Sequence, residues 1–379
     1  MAQMRHRQRC ATGRREGTPC NTPTPVSRDH AGKCPLREEL AMFASQEGRD
    51  LMQGLEETGR ILATEFNHLD EAMTAASPEP EEWSVKQNIA HISEIEPGLV
   101  DEAVVIAAQP GALIGHPPGA LWGEAQHTAN GRPLAELVRE FEVVNRDTLA
   151  RVAVLTDEDL TRTGTHRGSG MVTVYGALMV ALGHRRGHIF QNRSNLISLR
   201  AQQEGRVPPE AYTMTGNGGP ALLLLDATVS KWDPVIAALG SRYRIIHYKF
   251  AALPPTIEQL RRDLDLRTLW IAGTAAGAID ACKYAFAHPE HVAGLVLVNL
   301  PILPFSRDGR PDDFGRITAP TLTLVGENHP QAVPAQERGR QFPSGRVVVM
   351  AGAGRDVPRE QPAAVAEAIR RFVPLSVGA

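Results

Sequence analysis

His184 and His188 stand four residues apart in this 379-residue chain. Four residues turn an α-helix by about 400°, so both imidazoles would project from the same face. Two imidazoles placed in this way can bind one metal ion. The chain contains 13 histidines, however, so one such pair is close to the level expected by chance. An ordinary surface or core pair is therefore an equally good interpretation of these two residues alone.

A second motif lies about 90 residues earlier, where residues 83–91 read WSVKQNIAH. Ser84 followed by Gln87 is typical of a capping box at the start of a helix. His91 then falls two turns inside that helix. Residues 170–173, which precede the helix that carries the later histidine pair, read GMVT, with a glycine followed three residues later by a threonine.

These motifs, taken in order, resemble the DinB/YfiT-like superfamily of four-helix-bundle proteins. The resemblance implies a divalent metal ion bound by His91, His184 and His188, with further coordination positions left open. Imidazole ligands favour zinc, and nickel or iron fits nearly as well. Some members are thiol-dependent transferases or isomerases. The implied function is a metal-dependent transferase, isomerase or hydrolase that acts on a small molecule, with a thiol as one candidate co-substrate.

Other polar residues near these motifs carry weaker signals. Glu94 lies one turn from His91, which makes it a candidate base or a partner of the metal ligands. An ordinary solvated helix residue is the favoured alternative. Four further histidines match no position of the family pattern and are expected on the surface or in loops: His68, His116, His127 and His166.

The elements that position these residues follow from hydrophobic periodicity and capping signals. We predict a multidomain chain, with an all-α four-helix bundle over residues 45–200 followed by an α/β parallel-sheet domain over residues 220–379. The predicted bundle helices are 47–75, 85–108, 133–155 and 173–196. The predicted strands of the second domain are 221–225, 244–248, 268–272, 294–299, 321–325 and 347–350. The predicted helices between them are 232–240, 257–265, 276–288, 331–342 and 362–372.

The second domain resembles the α/β-hydrolase fold in the order of its motifs. Residues 269–299, 317–330 and 350–372 are similar to the family's nucleophile elbow, acid-bearing strand and final loop and helix. The catalytic positions nevertheless carry other residues, because the elbow serine is Ala275, the acid is His329 and the base is Arg355. An arginine cannot accept a proton at neutral pH. We therefore predict a truncated, catalytically inactive hydrolase-like domain.

Three alternative assignments would restore some chemistry to this domain. Thr274 could act as a displaced nucleophile, and His329 could form a new dyad with Asp356 or Asp226. The oxyanion position is also altered, because Asp226 and Ala227 follow the first matched strand. Cys282 on the elbow helix is expected to be a buried structural thiol.

The length of the second domain predicts a reduced sheet. Only a short segment separates the strands ending at Asn299 and starting at Thr321, which leaves no room for a helical cap. The first two strands of the usual eight-stranded sheet also have no counterpart in the pattern. The exposed sheet edge would need a cover, either from the bundle or from a second copy in a homodimer.

Composition limits the classes of partner. Lys and Arg total 40 against 43 Asp and Glu, a formal charge of −3 that does not favour nucleic-acid binding. The sequence contains no apolar run long enough to predict a membrane-spanning helix.

Three of the four cysteines, Cys10, Cys20 and Cys34, lie in a polar segment at 1–44 that we predict to be disordered. Their spacing fits no compact zinc site. Met42 is a plausible start. The single remaining cysteine favours the cytoplasm.

The polar segment 201–219 is predicted to be a linker between the two domains. Three functions remain open at this point. The first is a metalloenzyme whose bundle performs the chemistry. The second is a non-enzymatic protein with a structural metal and a ligand-binding or partner-binding hydrolase-like domain. The third, an active hydrolase, is the least favoured because all three triad positions are altered.

Overall fold

The computed structural model describes residues 43–80, 82–115, 124–168, 170–226, 231–250, 252–301 and 314–375. Most of the predicted disordered segment 1–44, with its three cysteines, lies outside these residues, as does His116. The predicted boundary at residue 44 needs correction. Phe43 is buried against Gly48, and the backbone amides of Ala44 and Ser45 donate to Asp157.

The first part of the described chain is mainly helical. Its helices are α1 (Gln46–Thr64), α2 (Glu71–Ala75), α3 (Val85–Ala108), α4 (Ala125–Ala129), α5 (Leu134–Ala153), α6 (Asp157–Thr161) and α7 (Val174–Glu204). A small sheet joins β1 (Leu113–Ile114), β2 (Thr163–His166) and β3 (Gly170–Thr173), which the sequence did not predict. The predicted helix over 47–75 is two helices, because Asp70 accepts a hydrogen bond from the Met73 amide and caps α2.

The four long helices α1, α3, α5 and α7 form the predicted bundle. α3 packs between α5 and α7, and α1 packs between the same two helices on the other side. Buried residues such as Leu55, Ile89, Phe141 and Leu178 fill the interior. The arrangement places α3 directly beside α7, so residues on their facing sides can meet.

The segment 201–219 differs from the predicted linker. α7 continues through Glu204, and Val207 and Ala211 are buried among residues of the second domain. β4 (Tyr212–Thr215) then pairs antiparallel with β6 of the second domain. The sequence concealed this because β4 is short and largely exposed, which leaves it without a buried apolar run.

The second part of the chain alternates strands and helices. The elements are β5 (Ala221–Leu225), α8 (Asp233–Leu239), β6 (Arg244–Tyr248), α9 (Pro254–Asp263), β7 (Leu269–Thr274), α10 (Ala276–Ala287), β8 (Val292–Val298), β9 (Thr321–Gly326), α11 (Ala332–Gly339), β10 (Gly345–Met350), α12 (Val357–Glu360) and α13 (Pro362–Phe372). All six strands predicted for this domain are present, with ends shifted by one or two residues.

The seven-stranded sheet has the order β10-β9-β8-β7-β5-β6-β4, parallel except for β4. β4 adds a seventh strand to the predicted six-stranded sheet and covers the edge of β6. We expected two strands of the usual sheet to be missing at this end, whereas only one is missing. Alternate residues of β5 point to opposite faces. Leu223 and Leu225 pack on the α9 and α10 side, and Leu222 and Leu224 pack on the α8 and α13 side.

The bundle packs on the α9 and α10 side of the sheet. Ile197 and Ala201 of α7 join the apolar cluster of that face. The Ser198 and Thr256 hydroxyls form a buried hydrogen bond of 2.8 Å between α7 and α9. Within the described ranges, no helix is both long and apolar enough to cross a membrane.

Candidate metal centre

The structure brings His91 of α3 together with His184 and His188 of α7. Nε2 of His184 lies 3.1 Å from Nε2 of His91 and 3.2 Å from Nε2 of His188. One nitrogen from each of the three residues lies within 4.8 Å of the others. Two ligands of a tetrahedral zinc ion lie about 3.3 Å apart, so the observed spacing fits donors that share one ion.

Local sequence fixes where each histidine falls on its helix. Ser84 and Gln87 form the predicted capping box, with each side chain bonded to the other residue's backbone amide. α3 therefore begins at Val85, and His91 lies on its second turn. Thr173 caps α7 by accepting from the Gly176 amide at 2.9 Å. α7 then runs without interruption through both histidines, which fixes their common face.

Asn88 orients His188. Its side-chain oxygen lies 2.9 Å from Nδ1 of His188, and its side-chain nitrogen donates to Asn192 at 2.7 Å. An acceptor at Nδ1 favours the tautomer whose Nε2 carries a free electron pair, which is the form that binds a metal. The sequence analysis missed Asn88, although it lies one turn before His91 on the same face of α3.

Gln191 is the second partner of His188. Its side-chain oxygen lies 3.1 Å from Nδ1 of His188, and its nitrogen donates to Glu82 at 3.2 Å. By contrast, Nδ1 of His91 and Nδ1 of His184 are buried and have no hydrogen-bond partner among the described residues. The orienting contacts of this centre are therefore concentrated on one of its three imidazoles.

Trp83 forms an aromatic wall beside the histidines. Its ring meets His91 edge-on with 4.7 Å between centroids, and it is nearly parallel to His188 at 6.0 Å. This contact explains why the tryptophan of the family-like motif precedes the capped helix. It limits the access of water to that side of the imidazoles.

Burial keeps the three imidazoles neutral. It lowers the pKa of His91 to about 4, with a smaller contribution from His184, and lowers the pKa of His184 to about 4. The pKa of His188 falls to about 3, again through burial first and then through the two neighbouring histidines. Neutral imidazoles are the protonation state that metal binding requires.

Glu94 makes its hydrogen bonds to the start of α4 and none to the three histidines. Its two carboxylate oxygens accept hydrogen bonds from the Glu124 and Ala125 amides at 3.2 and 2.9 Å. These contacts hold the start of α4 against α3. The carboxylate raises the pKa of His91 slightly against the effect of burial, but it forms no hydrogen bond with a histidine of the centre.

The remaining described histidines of the bundle lie outside the centre. His68 and His127 are exposed, and His166 accepts a hydrogen bond from the Gly168 amide in the small sheet. In the described part of the chain, one group of three or more potential metal ligands has converging donor atoms. It consists of His91, His184 and His188.

A buried ion pair holds the helices that carry the centre. Arg185 and Glu96 are both fully buried and pair through two hydrogen bonds. Arg185 also donates to the Leu55 carbonyl of α1 at 2.9 Å and to Asn145 of α5 at 2.8 Å. Thr148 of α5 donates to Glu96 at 2.6 Å. One arginine next to His184 thus connects all four long helices.

The hydrolase-like domain keeps the elbow backbone without its nucleophile. β7 ends at Thr274, α10 begins at Ala276, and Ala275 between them has φ +47° and ψ −116°. A non-glycine residue rarely adopts positive φ. Gly273 and Gly277 allow this tight turn, since an added Cβ would lie 2.3 Å from the Gly277 carbonyl or 2.7 Å from the Leu225 carbonyl.

The other predicted triad positions also meet at this turn. Ala275, His329 and Arg355 all line one small cavity at the carboxyl edge of the sheet. Nδ1 of His329 accepts from the Gln331 amide at 3.1 Å, and burial together with Arg355 lowers its pKa. The three predicted positions therefore line the same cavity, and none of them carries a serine.

The alternative assignments in this domain gain no support from the geometry. Thr274 is buried, and its hydroxyl donates to Asp226 at 3.2 Å. Among the described residues, His329 forms no hydrogen bond with Asp226 or Asp356. Cys282 is buried, as predicted, and packs in the apolar cluster on the α9 and α10 side of the sheet.

The helical bundle carries three imidazoles that converge as the ligands of a metal site would. Comparison with protein families agrees, because residues 55–191 match the model of the DinB superfamily. This part of the chain is therefore similar to that superfamily. The family usually binds a divalent metal. No curated protein matches the chain.

Several solved esterase structures are similar to the second domain. A thermophilic esterase from Thermogutta terrifontis is 19% identical, with 43% of this chain and 92% of that chain covered and a TM-score of 0.39. Carboxylesterase CesB from Bacillus subtilis is 16% identical, with coverage of 44% and 88% and a TM-score of 0.37. The naproxen esterase of the same organism is 17% identical, with coverage of 43% and 87% and a TM-score of 0.37. The α/β assignment made above rests on strand order and the elbow.

Proposed function

We propose that His91, His184 and His188 bind one divalent metal ion through their Nε2 atoms. The observation that carries the proposal is the convergence of three neutral imidazole nitrogens from two adjacent helices. The donor set suits zinc first, and nickel or iron is a close alternative. Asn88 supports the proposal because it holds His188 in the metal-binding tautomer.

We further propose that the centre is catalytic and acts on a small molecule. Structural zinc sites are usually closed by four protein ligands, whereas three protein ligands leave a position for water or substrate. A bound ion of this kind supplies a Lewis acid that polarises a carbonyl or ionises a bound water or thiol. The reaction classes that fit are thiol transfer, isomerisation and hydrolysis.

The protein residues contribute positioning in this proposal. Trp83 shields one side of His91 and His188 from water, and the Arg185–Glu96 pair holds α3 against α7. We assign no proton-transfer step to Glu94, because both of its oxygens accept amides at the start of α4.

Metal analysis of the purified full-length protein tests the first proposal. We expect about one divalent ion per chain, and we expect added metal to raise the melting temperature because the unfolded chain does not preserve the three-histidine geometry. His184→Ala and His188→Ala should abolish both effects. The control is His127→Ala, which removes an exposed histidine and should leave them unchanged. Absence of metal together with no stabilisation by zinc, nickel, iron or manganese would contradict the site.

A cobalt-substituted protein tests whether the centre is open. A small thiol that enters an open position should change the cobalt absorption spectrum, and a closed structural site should show no change. An unchanged spectrum would favour the alternative of a non-enzymatic protein with a structural metal. The same spectrum of the His91→Ala variant reports whether the signal belongs to this centre.

We propose that the hydrolase-like domain is an accessory domain without serine-hydrolase activity. The supporting observation is the methyl group of Ala275 at the apex of an otherwise intact elbow. Ester turnover and labelling by a serine-directed fluorophosphonate should both be absent. Stoichiometric labelling within residues 220–379 would overturn this assignment. A homodimer is also our proposal for the assembly, and sedimentation velocity would test it.

A further inference from the structure

The cavity beside Ala275 has features of a binding site that do not depend on the metal centre. Its volume is about 100 Å³, and it lies where β7 and β8 end. One water molecule needs only about 10–15 Å³ of such space, so the cavity holds a ligand of several non-hydrogen atoms. It is smaller than the typical pocket for a drug-sized molecule.

The polar part of the cavity is cationic. Lys231, His329 and Arg355 line it, and among the residues that the structure describes no carboxylate does. Neither the Lys231 ammonium nor the Arg355 guanidinium pairs with a carboxylate among the described residues. Other arginines, such as Arg132 and Arg193, do form ion pairs with carboxylates. Two unpaired cations on one small cavity leave positive charge available to a ligand.

Neighbouring residues orient the His329 ring and hold the loop that carries Arg355. The Nδ1 atom of His329 accepts from the Gln331 amide, so Nε2 carries the proton of the neutral ring and serves as a donor. The side chain of Asn299 donates to the Gly354 and Arg355 carbonyls and accepts from the Gly326 amide. Asn299 thereby holds the loop that carries Arg355 at the cavity.

The cavity lining also has an apolar part. It includes Ala275, Val298 and Pro358. A phosphate ion would leave polar oxygens against this surface, whereas a short carboxylic acid would place its alkyl end there. We infer that this cavity binds a short aliphatic carboxylate, with the carboxylate toward Lys231, His329 and Arg355. The altered triad positions thus become parts of a recognition site.

Titration calorimetry of the full-length protein with propionate tests the inference. We expect saturable binding of one propionate per chain, at least about tenfold tighter than binding of the neutral isostere propionamide. Phosphate should bind more weakly than propionate. Arg355→Gln should weaken propionate binding by about tenfold, because it removes a charged donor. The matched control is Arg359→Gln, the same change at an exposed residue outside the cavity lining, and it should have no effect.

The His184→Ala variant separates this site from the proposed metal centre. Propionate should bind that variant as tightly as it binds the unaltered protein. Loss of binding in His184→Ala would assign the carboxylate to the bundle and overturn the inference. Absence of saturable binding, equal affinity for propionamide or phosphate, or an Arg355→Gln variant with unchanged affinity would each overturn it as well.

Discussion

The two domains differ in whether the residues expected at their predicted sites are present. In the bundle, all three donor residues are present and converge, and a buried ion pair holds the helices that carry them. In the α/β domain, the strained turn at Ala275 is present, and Ala275, His329 and Arg355 stand where the sequence analysis placed a hydrolase triad. Backbone geometry and catalytic chemistry are therefore separable. The elbow is maintained by glycine packing that does not depend on a serine.

The largest effect should come from breaking the ion pair that holds the bundle. Glu96→Ala leaves the Arg185 guanidinium buried without its carboxylate, so we expect a loss of about 3–5 kcal/mol in the free energy of unfolding. Glu65→Ala removes the partner of the partly exposed Arg193 on the same helix and should cost about 1 kcal/mol or less. Urea unfolding measures both.

A double variant keeps this test informative if Glu96→Ala fails to fold. Arg185→Met combined with Glu96→Leu removes both charges and should destabilise the protein less than Glu96→Ala does. Equal losses for the single and double variants would show that packing, rather than an unpaired charge, governs this position.

The next effect concerns the orientation of His188. Asn88→Ala removes the nearer of the two acceptors at Nδ1 of His188 and leaves Gln191, and loss of such a contact typically lowers metal affinity by about 10–100-fold. Asn88→Asp keeps an oxygen acceptor and should retain most of the affinity. The buried side-chain nitrogen of Asn192 has no partner, so that amide can turn to donate to the new carboxylate. Competition with a chelating dye would measure the three affinities, and an Asn88→Ala protein with normal affinity would contradict this role.

A buried carboxyl in the α/β domain should make stability depend on pH. Burial raises the pKa of Asp280 to about 7, with Lys283 opposing and Glu82 adding to the shift, and its Oδ2 atom is buried without a partner. The folded state holds this proton more tightly than the unfolded state, so the contribution of Asp280 to stability is fully present below its unfolded pKa of about 4 and is lost as pH rises through about 7. The expected loss from this group is about 1 kcal/mol between pH 6 and pH 7.5.

The Asp280→Asn variant tests that assignment. Replacement by a neutral side chain should remove this part of the pH dependence and leave the unaltered protein relatively less stable at pH 7.5. Urea unfolding at both pH values measures the difference between the two proteins. The same slope in both would show that Asp280 is not the group responsible.

The smallest expected effect is that of restoring the nucleophile alone. Ala275→Ser should fit the elbow with little change in stability, yet it should show no ester turnover, because Arg355 cannot act as the base. Adding His329→Asp and Arg355→His would supply the missing acid and base, and fluorophosphonate labelling of that triple variant is expected. Turnover by the single variant would show that the domain retains another base.

Local sequence signals predicted much of this protein. Capping residues and periodicity located α3, α5 and the start of α7, because a helix is defined by contacts within a few residues. The six parallel strands were predicted from short apolar runs that are buried on both faces. The identity of Ala275, His329 and Arg355 is a matter of sequence alone, once the order of elements has been recognised.

The sequence alone predicted the three histidines of the metal site and the altered residues at the triad positions. The tertiary structure decided which side chains surround these residues. The pairing of β4 with β6, the Arg185–Glu96 pair and the contact between Asn88 and His188 join residues far apart in the chain, and no local pattern encodes them. The cationic cavity likewise exists only because β7, β8 and β9 end beside one another. Such features depend on packing between distant segments, which residue types and spacing do not specify.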